Sequence, residues 1–254
     1  MRLAIIGGTG LSNLENLEFI RHQVVATPYG EASGPVTIGR LGGTEVVFLP
    51  RHGYSHRIPP HRVNYRANIW ALRELGVERV LAVAAVGGIT ARMSPGTLCV
   101  PDQIIDYTWG RPSTFFEDDL ESVTHVDFSF PYHQGLREAY LAAATAVGLE
   151  AIDGGTYGAT QGPRLETAAE IRRMERDGCD VVGMTGMPEA VLARELGLAY
   201  ASLNLVVNWA AGKNGGEPIK MEQIEQTLVE GMERVRKILA HLLAHRMDLL
   251  AVRE

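Results

Sequence analysis

Cysteine is nearly missing from this 254-residue chain: Cys99 and Cys179 are the two it has, in neither a CxxC nor a metal-type spacing. That excludes a disulfide scaffold and a zinc module, and reads both thiols as core residues within apolar, strand-like runs in a reducing compartment. An excess of basic charge is missing too. Twenty-four Lys and Arg against thirty Asp and Glu leave a net charge of −6, so there is no broad basic face for nucleic acid, and any bound anion must be held by a few local groups. Long hydrophobic runs are absent. Leu3 to Ile6 is too short for a signal-peptide core, and no stretch reaches about 18 apolar residues, so no membrane partner is expected and a cytoplasmic location is. A GxSxG elbow is also absent, which disfavours an α/β-hydrolase. His52, His56 and His61 show no HxH or HExxH spacing, so no metal is expected.

What the chain does have is 46% hydrophobic residues over a length suited to one substantial core, a single domain spanning residues 1–254. Leu3–Ile6 reads as a buried strand running into Gly7-Gly8-Thr9-Gly10, and Val36–Leu41 with Glu45–Leu49 as a hairpin around Gly42-Gly43-Thr44. Asn64–Leu75, stopped by Gly76, predicts a helix, followed by a small-residue strand over Arg79–Val86. Further strands are expected at Thr97–Pro101, Thr156–Thr160, Asp180–Met184 and Ala199–Val207, with helices at Leu136–Val147, Thr167–Arg176 and Pro188–Leu196. Ile224, Leu228, Met232, Val235, Leu239 and Leu242 recur at three and four, predicting a long C-terminal amphipathic helix. Residues 111–130 have the composition of a long functional loop. This alternation defines an α/β class with a mixed, mainly parallel central sheet flanked by helices, whose ligands collect at the carboxyl ends of strands.

The unusual residues follow strands. Gly7–Gly10 suits either a tight turn or backbone approach to a phosphate, and GxGxxG fails because Asn13 takes the third glycine's place. Arg51-His52-Gly53-Tyr54-Ser55-His56 is a local anion trap or a basic surface loop. Glu166, before the helix at Thr167, serves a ligand or the helix dipole. Thr185 serves a ligand or caps a helix. Asn208, before Trp209-Ala210, is a polar amide at a strand end or a surface turn.

Five ordered motifs, GGTG, RHGYSHRIPPHRVNYRANIWAL from Arg51, TQGPRLET from Thr160, GMTGMPEAVLARELGL from Gly183 and the Asn208 turn, make the chain resemble the trimeric purine nucleoside phosphorylase and 5'-methylthioadenosine phosphorylase family. The resemblance runs from Ala4 to the C-terminal helix. It implies that phosphate displaces a purine base from a nucleoside, with phosphate as co-substrate and no cofactor. It further implies a phosphate pocket of Thr9, Arg51, His52, the backbone at Ala84 and Ala85, and Thr185. Met184, Trp209 and Ala210 are expected at the nucleoside, and Asn208, Arg51 and His52 are assigned to catalysis. A homotrimer is implied, with the site near a subunit interface. The reaction builds positive charge on the sugar and negative charge on the base, so it needs a positioned anion and hydrogen bonds to the leaving base rather than a protein nucleophile.

Departures within the family refine the expectation. The methylthioadenosine branch has Ser and Asp at the positions of Glu166 and Asn208, whereas Glu with Asn resembles the 6-oxopurine enzymes, the carboxylate accepting the ring N–H and the amide donating to the exocyclic oxygen. Met221 stands where ordinary 6-oxopurine enzymes place a His at the 5'-hydroxyl, and an apolar thioether suits a methylthio group. His125 resembles a residue contributed by a neighbouring subunit. Ala84 replaces a frequent phosphate-binding Thr, and Leu165 an aromatic that stacks on the base. The expected substrate is 5'-methylthioinosine; the alternatives are inosine or guanosine and, third, methylthioadenosine.

Overall fold

The computed structural model describes residues 2–11, 17–118 and 121–245. The first half runs β1 (Arg2–Gly7), β2 (Glu18–Gln23), β3 (Val36–Leu41), β4 (Thr44–Pro50), α1 (Tyr65–Glu74), β5 (Val77–Gly88), β6 (Leu98–Val100) and β7 (Gln103–Asp106). The second runs α2 (Gln134–Ala146), β8 (Ile152–Asp153), β9 (Thr156–Ala159), α3 (Ala168–Arg176), β10 (Val181–Gly183), α4 (Gly186–Glu195), β11 (Ala199–Trp209) and α5 (Met221–His245). The strands form one mixed sheet in which β1 with β4, β1 with β5, β5 with β11 and β9 with β10 are parallel.

Strand periodicity explains the layering. In β1, Ala4 and Ile6 face one core with α1 and α4, while Leu3 and Ile5 face the other with α2 and α5. In β5, Val80, Ala82, Ala84 and Val86 face the first core, and Leu81 and Val83 the second. Strands buried on both faces read as unbroken apolar runs, which is how 3–6 and 79–86 read in the sequence. The hairpin forms as expected, but Thr44 already pairs with Leu41, leaving Gly42 and Gly43 alone in the turn. Their φ values of 59° and 81° are those of a type I′ turn, which glycine enters at no steric cost.

Some elements differ from expectation. β2, β7 and β8 do not stand out in the sequence: β2 is exposed along nearly its whole length, and the other two have four and two residues. Cys179 is fully buried as expected but sits in the turn before β10 rather than in a strand, while Cys99 lies in β6. The C-terminal helix begins at Met221, a turn earlier than its apolar repeat, and β11 continues two residues past Val207.

β5 positions the site. β1 follows one of its edges as far as the Ile6–Ala82 pair, and β10 takes up that edge only at Gly87 and Gly88. Residues 83–86 therefore face a gap between two strand ends, into which the loops after β1, β4 and β10 all turn.

Candidate active site

A cleft of about 400 Å³ opens over that gap. Thr9, Arg51, His52, Ala84, Ala85, Glu166, Met184, Thr185, Asn208, Ala210 and Met221 all line it, so most residues singled out from sequence converge on one cavity. Two do not. Trp209 faces an adjoining cavity of about 390 Å³ beside Lys220 and Gln223, and His125 is exposed on the 111–130 loop, away from this cleft.

At the closed end, Arg51 is 1% exposed. Its Nε and Nη2 donate to Glu189 Oε2 and Oε1, both at 2.6 Å, and Nη1 donates to Val83 O at 3.0 Å. Tyr200 donates its hydroxyl to Glu189 Oε1 at 2.8 Å. Burial opposes the guanidinium charge, but the Glu189 carboxylate more than reverses this and holds Arg51 above its usual pKa. Three of its five N–H groups are thus committed and two remain for a ligand. Gly8 makes the packing possible: a Cβ there would lie 2.7 Å from Val83 O and 2.9 Å from Arg51 Nη1. Gly8 of the GGTG turn is required first by the backbone carbonyl of Val83 and then by the close approach of Arg51.

His52 is 8% exposed, and Nδ1 lies 2.7 Å from Ile58 O. Burial first, then the charge of Arg51, lower its pKa to about 4 despite the carbonyl contact. Its ring centroid is 4.7 Å from that of His56, whose Nε2 is 3.5 Å from Thr9 Oγ1; burial lowers the His56 pKa as well. Thr185 occupies the N-cap position of α4, yet its side chain makes no capping bond, while its backbone N–H donates to the Tyr157 hydroxyl at 3.2 Å. Capping therefore does not account for this threonine.

Beside the turn that follows Thr160, α3 is capped by a reciprocal pair, Thr167 with Glu170. Glu166 is free of that duty and instead accepts from Thr160 Oγ1 at 2.6 Å, with its other oxygen left for a ligand. Asn208 follows a bulge at Val207, where the register with β5 jumps from Val206–Val86 to Asn208–Gly87. Bulges re-aim side chains beside sites. Nδ2 of Asn208 donates to Trp209 O at 2.7 Å, leaving one N–H and the amide oxygen. At the open end Met221 is 57% exposed and Leu165 42%, so neither is core. Ile219 and Ile224 extend the apolar wall around Met221.

Sequence reasoning gave no role to Glu189, Tyr200 or Arg111. Arg111, 9% exposed, donates to Thr160 O, Gln161 O, Met184 O and Met187 O at 2.7 to 3.1 Å. It ties together the two strand-end turns that carry Glu166 and Thr185. The functional content of the long loop lies in part in this one guanidinium.

The model of the Phosphorylase superfamily matches residues 2–244. A Pseudomonas syringae pv. tomato protein named "Probable S-methyl-5'-thioinosine phosphorylase" is 59% identical over 95% of this chain and 98% of its own. The 6-oxopurine nucleoside phosphorylase of Pyrococcus furiosus is 48% identical over 94% of this chain and 91% of its own. Among solved structures, methylthioadenosine phosphorylase from Schistosoma mansoni in complex with adenine superposes with a TM-score of 0.91 at 32% identity, covering 96% of this chain and 91% of that one. Fold, cleft and ordered motifs are those of a nucleoside phosphorylase, a pentosyltransferase. The chain belongs to the Phosphorylase superfamily.

Proposed function

We propose that the protein catalyses reversible phosphorolysis of S-methyl-5'-thioinosine to hypoxanthine and 5-methylthioribose 1-phosphate, a step of purine and methylthioadenosine salvage. The carrying observation is that one cleft is lined both by the polar pair Glu166 and Asn208 and by the apolar side chains of Met221, Ile219 and Ile224. Phosphate binds among Thr9, Arg51, His52, Thr185 and the unpaired edge at Ala84 and Ala85, with Met184 against the ribose. Glu166 accepts the ring N–H of a 6-oxopurine, and Asn208 donates to the exocyclic or ring acceptor that gains charge as the bond to the sugar breaks. A buried acceptor left unpaired by the wrong base discriminates by orders of magnitude. The thioether of Met221 meets the methylthio group. No organic cofactor or metal enters this scheme; inorganic phosphate is the co-substrate.

Initial rates of base release at saturating phosphate on methylthioinosine, inosine, methylthioadenosine and adenosine test the reading. Preference for the first supports both ends of the pocket. Equal or better use of inosine makes the protein a general 6-oxopurine phosphorylase, the reading favoured by the Pyrococcus furiosus relative.

The assembly belongs to the same proposal: a cytoplasmic homotrimer in which His125 serves a neighbouring protomer's site. In support, His125 is exposed and outside its own cleft. Light scattering at working concentration tests the trimer, and substrate KM in His125→Ala the borrowed contact. Among the described residues no helix is long and apolar enough to cross a membrane.

A further inference from the structure

His52 has its hydrogen-bonding sense fixed by the backbone of Ile58. Nδ1 faces Ile58 O at 2.7 Å, and a carbonyl oxygen only accepts, so Nδ1 carries the hydrogen. In the neutral ring Nε2 then holds a lone pair and no proton. The surroundings keep the ring neutral: it is buried, and Arg51 is the nearest cation. Arg51 is itself matched by Glu189, so the pair brings little net charge to this end. The remaining ionisable neighbours are His56, at 4.7 Å between ring centroids, and the exposed Arg57 on the cleft wall. This part of the cleft therefore presents N–H donors from Arg51, the hydroxyls of Thr9 and Thr185, which can donate or accept, and in His52 Nε2 a ring nitrogen that can only accept.

We infer that His52 Nε2 accepts a hydrogen bond from a proton-bearing oxygen of the bound oxyanion, so that this end of the cleft selects phosphate over oxyanions of similar shape that carry no proton. The inference rests on the phosphorolysis reading and deepens it. Near neutral pH phosphate and arsenate keep at least one O–H, and sulfate has none. Sulfate would set two acceptors against each other in a buried place, an arrangement that costs about 10-fold or more in affinity. The same contact orients the nucleophile. With the protonated oxygen turned to His52, an unprotonated oxygen faces the sugar and forms the O–C1′ bond as the bond from C1′ to the base breaks, its electron pair leaving with the base. The phosphate proton stays on the hydrogen bond to Nε2.

The test uses the full chain, with sulfate as inhibitor against phosphate and arsenate as alternative nucleophile, in the wild type and in His52→Ala. Nitrogen NMR of the wild type with phosphate alone reads the tautomer. A sulfate Ki at least about 10-fold above the phosphate KM is expected, with arsenate within about 3-fold of phosphate. In His52→Ala the sulfate-to-phosphate ratio should fall to within about 3-fold, whereas a purely structural role would weaken both anions in parallel. The bound wild-type ring should carry its proton on Nδ1. Equal binding of sulfate and phosphate by the wild type, an unchanged ratio in a folded His52→Ala protein, or a proton on Nε2 overturns the inference. Absence of any phosphate-dependent base release would instead strike the phosphorolysis reading; phosphate and sulfate titrations followed by the His52 nitrogen shifts need no turnover and still decide the role of His52.

Discussion

The two ends of the cleft are built to different standards. Around Arg51, that residue and Glu189 are each 1% exposed, and the arginine is held by two 2.6 Å hydrogen bonds to the carboxylate and a third to a backbone carbonyl. By contrast Met221 and Leu165, which also line the cleft, are 57% and 42% exposed. Chemistry shared by every nucleoside needs a fixed frame, because a misplaced anion loses the gain from orientation. On the proposed reading, choice at the 5'-position of the nucleoside needs only a wall of the right polarity, which one side chain can supply.

Breaking the frame should cost most. Glu189→Gln leaves a buried guanidinium without its counter-charge, for which about 3–5 kcal/mol of stability is the expected loss, or on the order of 10 °C in Tm for a chain of this size. Met221→Ala should cost well under about 1 kcal/mol by the same thermal unfolding measurement. Similar losses in the two variants would erase the contrast between the ends. Next in size is Asn208→Asp, expected to move the ratio of base release from hypoxanthine toward adenine nucleosides by roughly 10- to 100-fold; an unchanged ratio would remove Asn208 from base selection. Met221→His should raise inosine relative to methylthioinosine by about 10-fold or less, since a single apolar contact is exchanged. If that ratio stays put, the apolar wall is packing and no more. A separate effect is on pH dependence. His52 has a folded pKa of about 4, below its usual value, so the unfolded chain binds more protons between the two values and stability falls as pH drops through that window. A His52→Gln variant should show a flatter Tm profile from about pH 6.5 to 4, and a profile parallel to wild type would show that His52 does not titrate there.

The parts legible in the sequence were those whose signal is local. Alternation of apolar strands with periodic helices gave the sheet and its layers, and loops after strands gave Thr9, His52, Glu166 and Thr185. Glu166 shows what the structure adds to a local reading: Glu170 completes the cap of α3, while Glu166 accepts from Thr160 and lines the cleft. What stayed hidden depends on distance along the chain. Glu189 sits in a motif that stands out, but its partner Arg51 is 138 residues away. Arg111 gains its role only because two turns 50 and 73 residues downstream meet beside it. β2 escaped notice because, exposed as it is, it carries no buried face for alternation to report.

The placement of Met221 at the first residue of α5 has a consequence for how such a protein changes over time. The helix is fastened further along, where Arg234 donates to Gly96 O and Thr44 donates to Leu243 O, and its buried side begins at Gly231. The first turn lines the cleft and meets the core only through the half-buried Ile224. On the proposed reading, a single replacement at this helix start changes the cleft wall while the buried Arg51–Glu189 pair is left as it is, so substrate preference can shift without loss of the fold's fixed part.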